Sequence, residues 1–115
     1  MKKFAADNWA AYDRIDALQQ QLNDGLRQCA DRHGQALLVQ GPRGVTFAQF
    51  VDVDVAWTPA DLVNADHEKA NRFKALLMNE GVFIAGGNRW FISPNHTEVD
   101  INKALAAAHN AMANL

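Results

Sequence analysis

Apolar side chains recur at Trp9, Tyr12, Ile15, Leu18, Leu22, Leu26 and Cys29, always three or four positions apart. Such steps place all seven on one face of a helix and predict one over roughly Asn8 to Arg32. Gly34 supplies the stop. Gly25 inside this stretch costs about 1 kcal/mol against alanine, which so long a stripe absorbs. The pattern then shortens. Ala36 to Gln40 is apolar, Gly41-Pro42-Arg43-Gly44 is turn chemistry, and Val45 to Val51 is rich in β-branched and aromatic residues, so a hairpin is predicted. Asp52 to Trp57 alternates valine with aspartate and either extends the strand or forms an edge. Thr58, Pro59 and Asp61 have the order of a helix cap, first helical position and acidic first turn. Helix is predicted over much of Pro59 to Glu80, with a break near Asn64 and Ala65. Ala70, Phe73, Leu76 and Leu77 form its buried stripe. Gly81 follows where a left-handed residue closes a helix.

Val82 to Ala85 and Arg89 to Ile92 predict a second hairpin across Gly86-Gly87-Asn88, residues suited to positive φ. Thr97-Glu98-Val99-Asp100 is a second capping sequence, and Ile101, Leu105, Ala108, Met112 and Leu115 then share one helical face. Helix, hairpin, helix, hairpin, helix is the order of an α+β two-layer sandwich, with a mainly antiparallel sheet of about four strands. At 115 residues the chain holds a single domain with one core.

Composition narrows the function by exclusion. A net charge of −2 gives no basic face for nucleic acid. The apolar runs, such as Ala36 to Val39, are too short to span a bilayer. Met1-Lys2-Lys3 leads directly into Ala5-Ala6-Asp7-Asn8 rather than into a secretory apolar run. The single cysteine, Cys29, excludes an internal disulfide, and a cytoplasmic location is expected.

The chain is poor in recognisable chemistry. His33, His67, His96 and His109 are scattered, none is matched with Cys29 or another histidine at ligand spacing, and no metal site is expected. Cys29 lies on the apolar stripe and reads as a small buried hydrophobe. His33 reads as a helix C-terminal residue that complements the dipole. Ser93 lacks a nucleophile elbow. Neither Gly41-x-x-Gly44 nor Gly86-Gly87 leads into a helix, as a phosphate cradle requires. Arg89 stands apart. Beside a glycine turn and followed by Trp90, it either presents a fork to a carboxylate or keeps an exposed edge strand soluble. Trp90 and Phe91, neighbours on a strand, point to opposite faces.

Leu77, Gly81, Val82 and Phe83, followed by His96, Thr97, Asp100 and Ile101, match in order and spacing the closing segment of class III aminotransferases. The resemblance is strongest to the glutamate-1-semialdehyde aminomutase-like branch, where a helix ends Leu-x-x-x-Gly-Val-(Tyr/Phe) and a strand runs into Ala-His-Thr-x-x-Asp-Ile. Val39-Gln40-Gly41-Pro42 is similar to an earlier family segment, although Arg43-Gly44-Val45-Thr46 departs from its usual Gly-Ser-Met-Phe. The resemblance covers nearly the whole chain and implies the family's small C-terminal domain. Gly81, His96, Thr97 and Asp100 are then structural residues. In the ornithine- and gamma-aminobutyrate-type relatives an arginine at the position of Arg89 holds a substrate carboxylate, a role the aminomutase-like branch does not generally keep.

The resemblance implies pyridoxal phosphate as the family's cofactor, held by a lysine of a large domain expected to lie outside these 115 residues. Lys2, Lys3, Lys69, Lys74 and Lys103 lie at the terminus or on helix faces expected to be exposed. The expectation is therefore a detached or truncated small domain, with no cofactor and no catalysis of its own. As partner it would have a second copy or a large-domain chain. The alternative is a free-standing α+β interaction or small-ligand-binding module, which an enclosed pocket with convergent polar groups would favour.

Overall fold

The computed structural model describes residues 2–52, 65–84, 89–93 and 95–115, with side chains from residue 10 onward. Helix α1 runs Lys2–Arg32, strand β1 Leu38–Gln40, strand β2 Val45–Gln49, helix α2 His67–Asn79, strand β3 Arg89–Phe91 and helix α3 Glu98–Ala113. The strands form an antiparallel sheet in the order β1-β2-β3. No described helix is long and apolar enough to cross a membrane.

Helix α1 starts six residues before the predicted Asn8. Nothing between Lys2 and Asp7 breaks a helix, and Ala5 and Ala6 favour one. Its stripe divides by burial. Leu18, Leu22, Leu26, Cys29 and Ala30 are buried and Ile15 packs at their edge, whereas Tyr12 is exposed. Tyr12 instead lies under the Arg43 guanidinium, 5.0 Å from its ring centroid, while Arg43 grips Asp16 at 2.8 and 3.0 Å. That exposed pair fixes geometry more than it adds stability.

The sheet has one face on the helices. Val39, Thr46, Ala48 and Trp90 point inward in register, and Phe73 of α2 packs on Phe50 edge-on and on Trp90. Leu38, Gln40, Val45, Phe47, Gln49, Arg89 and Phe91 alternate onto the other face. Gln19 ties the two layers together. Its amide donates to the Pro42 and Val45 carbonyls and the Thr46 hydroxyl, and its Oε1 accepts from the Gly44 N–H. Thr46 in turn donates to Asn23 Oδ1 at 2.6 Å. Gln19 and Thr46 are the buried polar residues among the described ones, and this network satisfies both.

Helices α1 and α3 run parallel, since their contacts advance together: Gln21 meets Asn102, Gly25 meets Leu105 and Cys29 meets Met112. At Gly25 the missing side chain makes room, because a Cβ would stand 2.6 Å from Leu105 Cδ2.

One expectation changes. Val82 to Ile84 is not a strand, and β3 pairs with β2 instead: Val45 faces Phe91, Thr46 faces Trp90 and Phe47 faces Arg89. The chain leaves α2 through Gly81 at φ +84°, with Gly81 N–H bonded to Met78 O and Val82 N–H to Leu77 O, a Schellman closure. The proposed strand partner is thus drawn back against its own helix. Helix α2 opens at His67, just after the expected break near Asn64 and Ala65, with Asp66 as its cap accepting from Lys69 N–H at 2.9 Å. The Thr58-Pro59 opening, the end of the Asp52 to Trp57 segment and the Gly86-Gly87-Asn88 turn lie outside the described residues.

Candidate functional site

Strand β3 and the start of α3 bring several of the singled-out residues to one edge. Alternation turns Trp90 into the core and leaves Arg89 and Phe91 on the outer face. The Arg89 guanidinium lies 5.9 Å from the Phe91 ring centroid, exposed and directly opposite Phe47 in the register. Phe91 is itself 58% exposed.

After β3 the chain makes a tight turn in which the His96 N–H bonds Ser93 O at 3.0 Å. The His96 ring returns the contact, its Nδ1 accepting from the Ser93 N–H at 2.9 Å. His96 is thereby locked just ahead of α3. Thr97 and Asp100 then form a capping box, the Thr97 hydroxyl accepting from Asp100 N–H and the Asp100 carboxylate from Thr97 N–H at 2.9 Å. The backbone and hydroxyl donors of Thr97 hold the Asp100 carboxyl below its usual range.

These residues flank a cavity of about 140 Å³ enclosed by Val82 to Ile84, β3 and α3, into whose wall Trp90, Phe91, His96 and Asp100 enter. Gly81 sets the direction of the chain that forms one wall. Arg89 is not in the lining; it stands outside, beside Phe91. Phe83, another lining residue, is 75% exposed. Trp90 Nε1 is buried with no hydrogen-bond partner among the described residues. An orphaned indole N–H costs about 1–3 kcal/mol, so this edge is polar-deficient as well as apolar.

A second grouping escaped the sequence. His33 Nε2 and His109 Nδ1 are 3.3 Å apart, and with Cys29 Sγ their ligand atoms all lie within 4.8 Å of one another. The expectation that no histidine meets Cys29 or another histidine at ligand spacing is therefore corrected. Cys29 and His33 are one helical turn apart, a signal present in the sequence, but His109 comes from α3, 76 residues away. Burial pushes the Cys29 thiol up to about 11, so it is a protonated, unreactive thiol at neutral pH. Desolvation, then the charge of Arg32 and the proximity of His33, lower the His109 pKa and keep its ring neutral.

No family model matches the chain. Solved structures do. A Sphaerobacter thermophilus omega-transaminase superposes with a TM-score of 0.75 at 23% identity, over 90% of this chain and 24% of its own. A β-phenylalanine aminotransferase from Variovorax paradoxus gives 0.72 at 25% identity, over 91% and 23%. A transaminase with PLP bound gives 0.76 at 16% identity, over 91% and 23%. The chain thus spans about a quarter of the length of these enzymes and has the fold of one part of a transaminase.

Proposed function

We propose that this chain is the closing small domain of a class III, pyridoxal-phosphate-dependent aminotransferase, of the glutamate-1-semialdehyde aminomutase-like branch, and that it does not transaminate alone. The observation that carries this reading is the edge formed by Phe83, Trp90 and Phe91. Two exposed aromatic side chains flank a cavity with an orphaned indole N–H, and folded monomers do not ordinarily leave such a surface uncovered. A large domain, on a longer form of the same chain or on a second chain, would cover it, and isolated copies would self-associate through it.

The described residues do not fit the cofactor. The capped N-termini of α2 and α3 carry Asp66 and Glu68, and Glu98 and Asp100, whose charge opposes a phosphate. The Lys69 ammonium is committed to Gln35 Oε1 at 2.9 Å and lies over Phe50. None of Lys69, Lys74 and Lys103 enters the cavity wall. The chemistry of amino transfer would come from elsewhere, and Arg89, exposed at the same edge, would pair with a substrate carboxylate as in the ornithine- and gamma-aminobutyrate-type relatives, a departure from the aminomutase-like branch.

The competing reading of a free-standing ligand module is weakened by size. The cavity at the aromatic edge holds about 140 Å³, and others on the described surface reach about 240 Å³, still short of the roughly 300–1,000 Å³ of small-molecule pockets. Its polar side chains are also occupied, Asp100 by the capping box and His96 by Ser93.

The test is borohydride reduction of the purified chain with pyridoxal phosphate and an amino donor, followed by peptide mapping. The expected result is diffuse, substoichiometric labelling, and one stoichiometric lysine adduct would overturn the reading. Size exclusion across a dilution series should show concentration-dependent self-association. A strict monomer that binds no apolar dye would count against the exposed edge.

A further inference from the structure

We propose that Cys29, His33 and His109 form a binding site for a thiophilic transition-metal ion of the Cu(I) or Zn(II) class where the C-terminal ends of α1 and α3 lie side by side. The donor types come first. One thiol and two imidazoles are the ligands such ions take, and these ions are bound by three or four protein groups. The geometry agrees. With metal–nitrogen bonds of about 2.0–2.1 Å, two nitrogens at tetrahedral corners stand roughly 3.3 Å apart, and His33 Nε2 and His109 Nδ1 are 3.3 Å apart. Cys29 Sγ lies within 4.8 Å of both, so a small rotation of side chains closes the set.

The backbone helps. The His33 N–H still bonds Cys29 O at 3.1 Å, which keeps the two residues in helical register on one face. Because α1 and α3 are parallel, both negative dipole ends fall at this point and favour a cation, against the opposing charge of Arg32. Cys29 is fully buried while His33 and His109 are half-buried, so the imidazoles mark the side from which an ion enters.

Met112 adds a fourth donor. Its Sδ is 3.4 Å from Cys29 Sγ, one helical turn from His109 on α3. Two imidazoles, a thiolate and a thioether make a soft set that suits copper, whereas zinc would bind the first three and leave the thioether aside. Binding displaces the thiol proton to solvent as the metal–sulfur bond forms, with no change in oxidation state.

The experiment titrates the purified 115-residue chain anaerobically with Cu(I) against a chromophoric chelator, with Zn(II) against a fluorescent one, and with Co(II) as a spectroscopic probe. The expected result is one equivalent bound, a thiolate-to-cobalt charge-transfer band, and a loss of at least about 100-fold in affinity in each of His33→Ala and His109→Ala, since even outer-shell changes cost 10–100-fold. Circular dichroism of the two variants confirms that they fold, and Cys29→Ser removes the charge-transfer band. Met112→Leu should weaken Cu(I) and leave Zn(II) unchanged. Equal binding by wild type and the His33→Ala/His109→Ala double variant would overturn the proposal, because His67 and His96 would then account for it. Absence of a thiolate band in the cobalt spectrum would overturn it too.

Discussion

Replacing Gly25 by alanine should destabilise the chain, although the residue sits in the middle of a helix where alanine is normally the better choice. Helix propensity alone predicts a gain of about 1 kcal/mol. Against it, the new methyl would stand 2.6 Å from Leu105 Cδ2, 3.1 Å from Cγ and in hard contact with Cδ1. Leu105 must then leave its rotamer or α3 must shift, and overpacking of this kind costs about 1–3 kcal/mol. The net expectation is a loss of about 1 kcal/mol, or ~4 °C in Tm for a chain of this size. The sign should reverse when Leu105 is truncated. Leu105→Ala by itself removes a half-buried side chain and costs roughly 1–1.5 kcal/mol by area. In that background the clash is gone, so adding Gly25→Ala should restore about 1 kcal/mol of helix propensity. Urea unfolding of the four proteins gives a coupling of about 2 kcal/mol if the reasoning holds. A Gly25→Ala that stabilises equally in both backgrounds would refute it, showing that Leu105 yields at no cost.

Other outcomes follow from single contacts. Gln19→Leu should cost about 1–3 kcal/mol in urea unfolding, because it strands the Gly44 N–H in the layer between α1 and β2 and takes a donor from the Thr46 hydroxyl, which keeps only its bond to Asn23. Gly81→Ala meets open space but must adopt φ +84°, so strain alone sets a loss of about 1–2 kcal/mol, and asparagine should be milder. Thr97→Ala should cost about 1 kcal/mol through the lost cap. The folded-state pKa of Asp100 is depressed, so its contribution is complete above the unfolded carboxylate value of about 3.9 and fades as pH falls through the lower folded value. Removing Thr97 should therefore flatten acid unfolding in that window. In an enzyme assembled with a large domain, Arg89→Ala should raise KM for amino-acid donors about tenfold and spare amines without a carboxylate.

The features legible in the sequence are those decided within four residues. The Thr97 and Asp100 cap, the Gly81 exit and the stripe from Leu18 to Cys29 all rest on spacings that fix their own geometry. What the sequence hides is the choice among distant partners. Val82-Phe83-Ile84 and Arg89-Trp90-Phe91 read as two arms of one hairpin, yet β2 already offers an edge with Thr46 set to face Trp90. The Schellman closure at Leu77 draws the first arm away from that role. Gln19 illustrates a subtler blindness. Four residues after Ile15 and three before Leu22, it occupies a stripe position, but a polar residue there reads as a gap until the Gly44 turn arrives to use all its hydrogen bonds.

Distance along α3 separates the aromatic edge from the thiol and imidazole cluster. Along α3 the cavity takes Ile101 and Ala104, while the thiol and imidazole cluster takes His109 and Met112. Eight residues at 1.5 Å each put about 12 Å between Ile101 and His109. Between the two ends lies the Gly25–Leu105 contact of α1 with α3. A metal at the far end would stiffen this helix pair without touching the edge that carries Arg89. Zinc or copper should accordingly raise the Tm of the isolated chain and leave its self-association through Phe83 and Phe91 unchanged. If metal instead dissolved the oligomer, the exposed aromatic edge and the cluster would have to share a surface. The spacing of Ile101 and His109 along α3 argues against that within one folded chain.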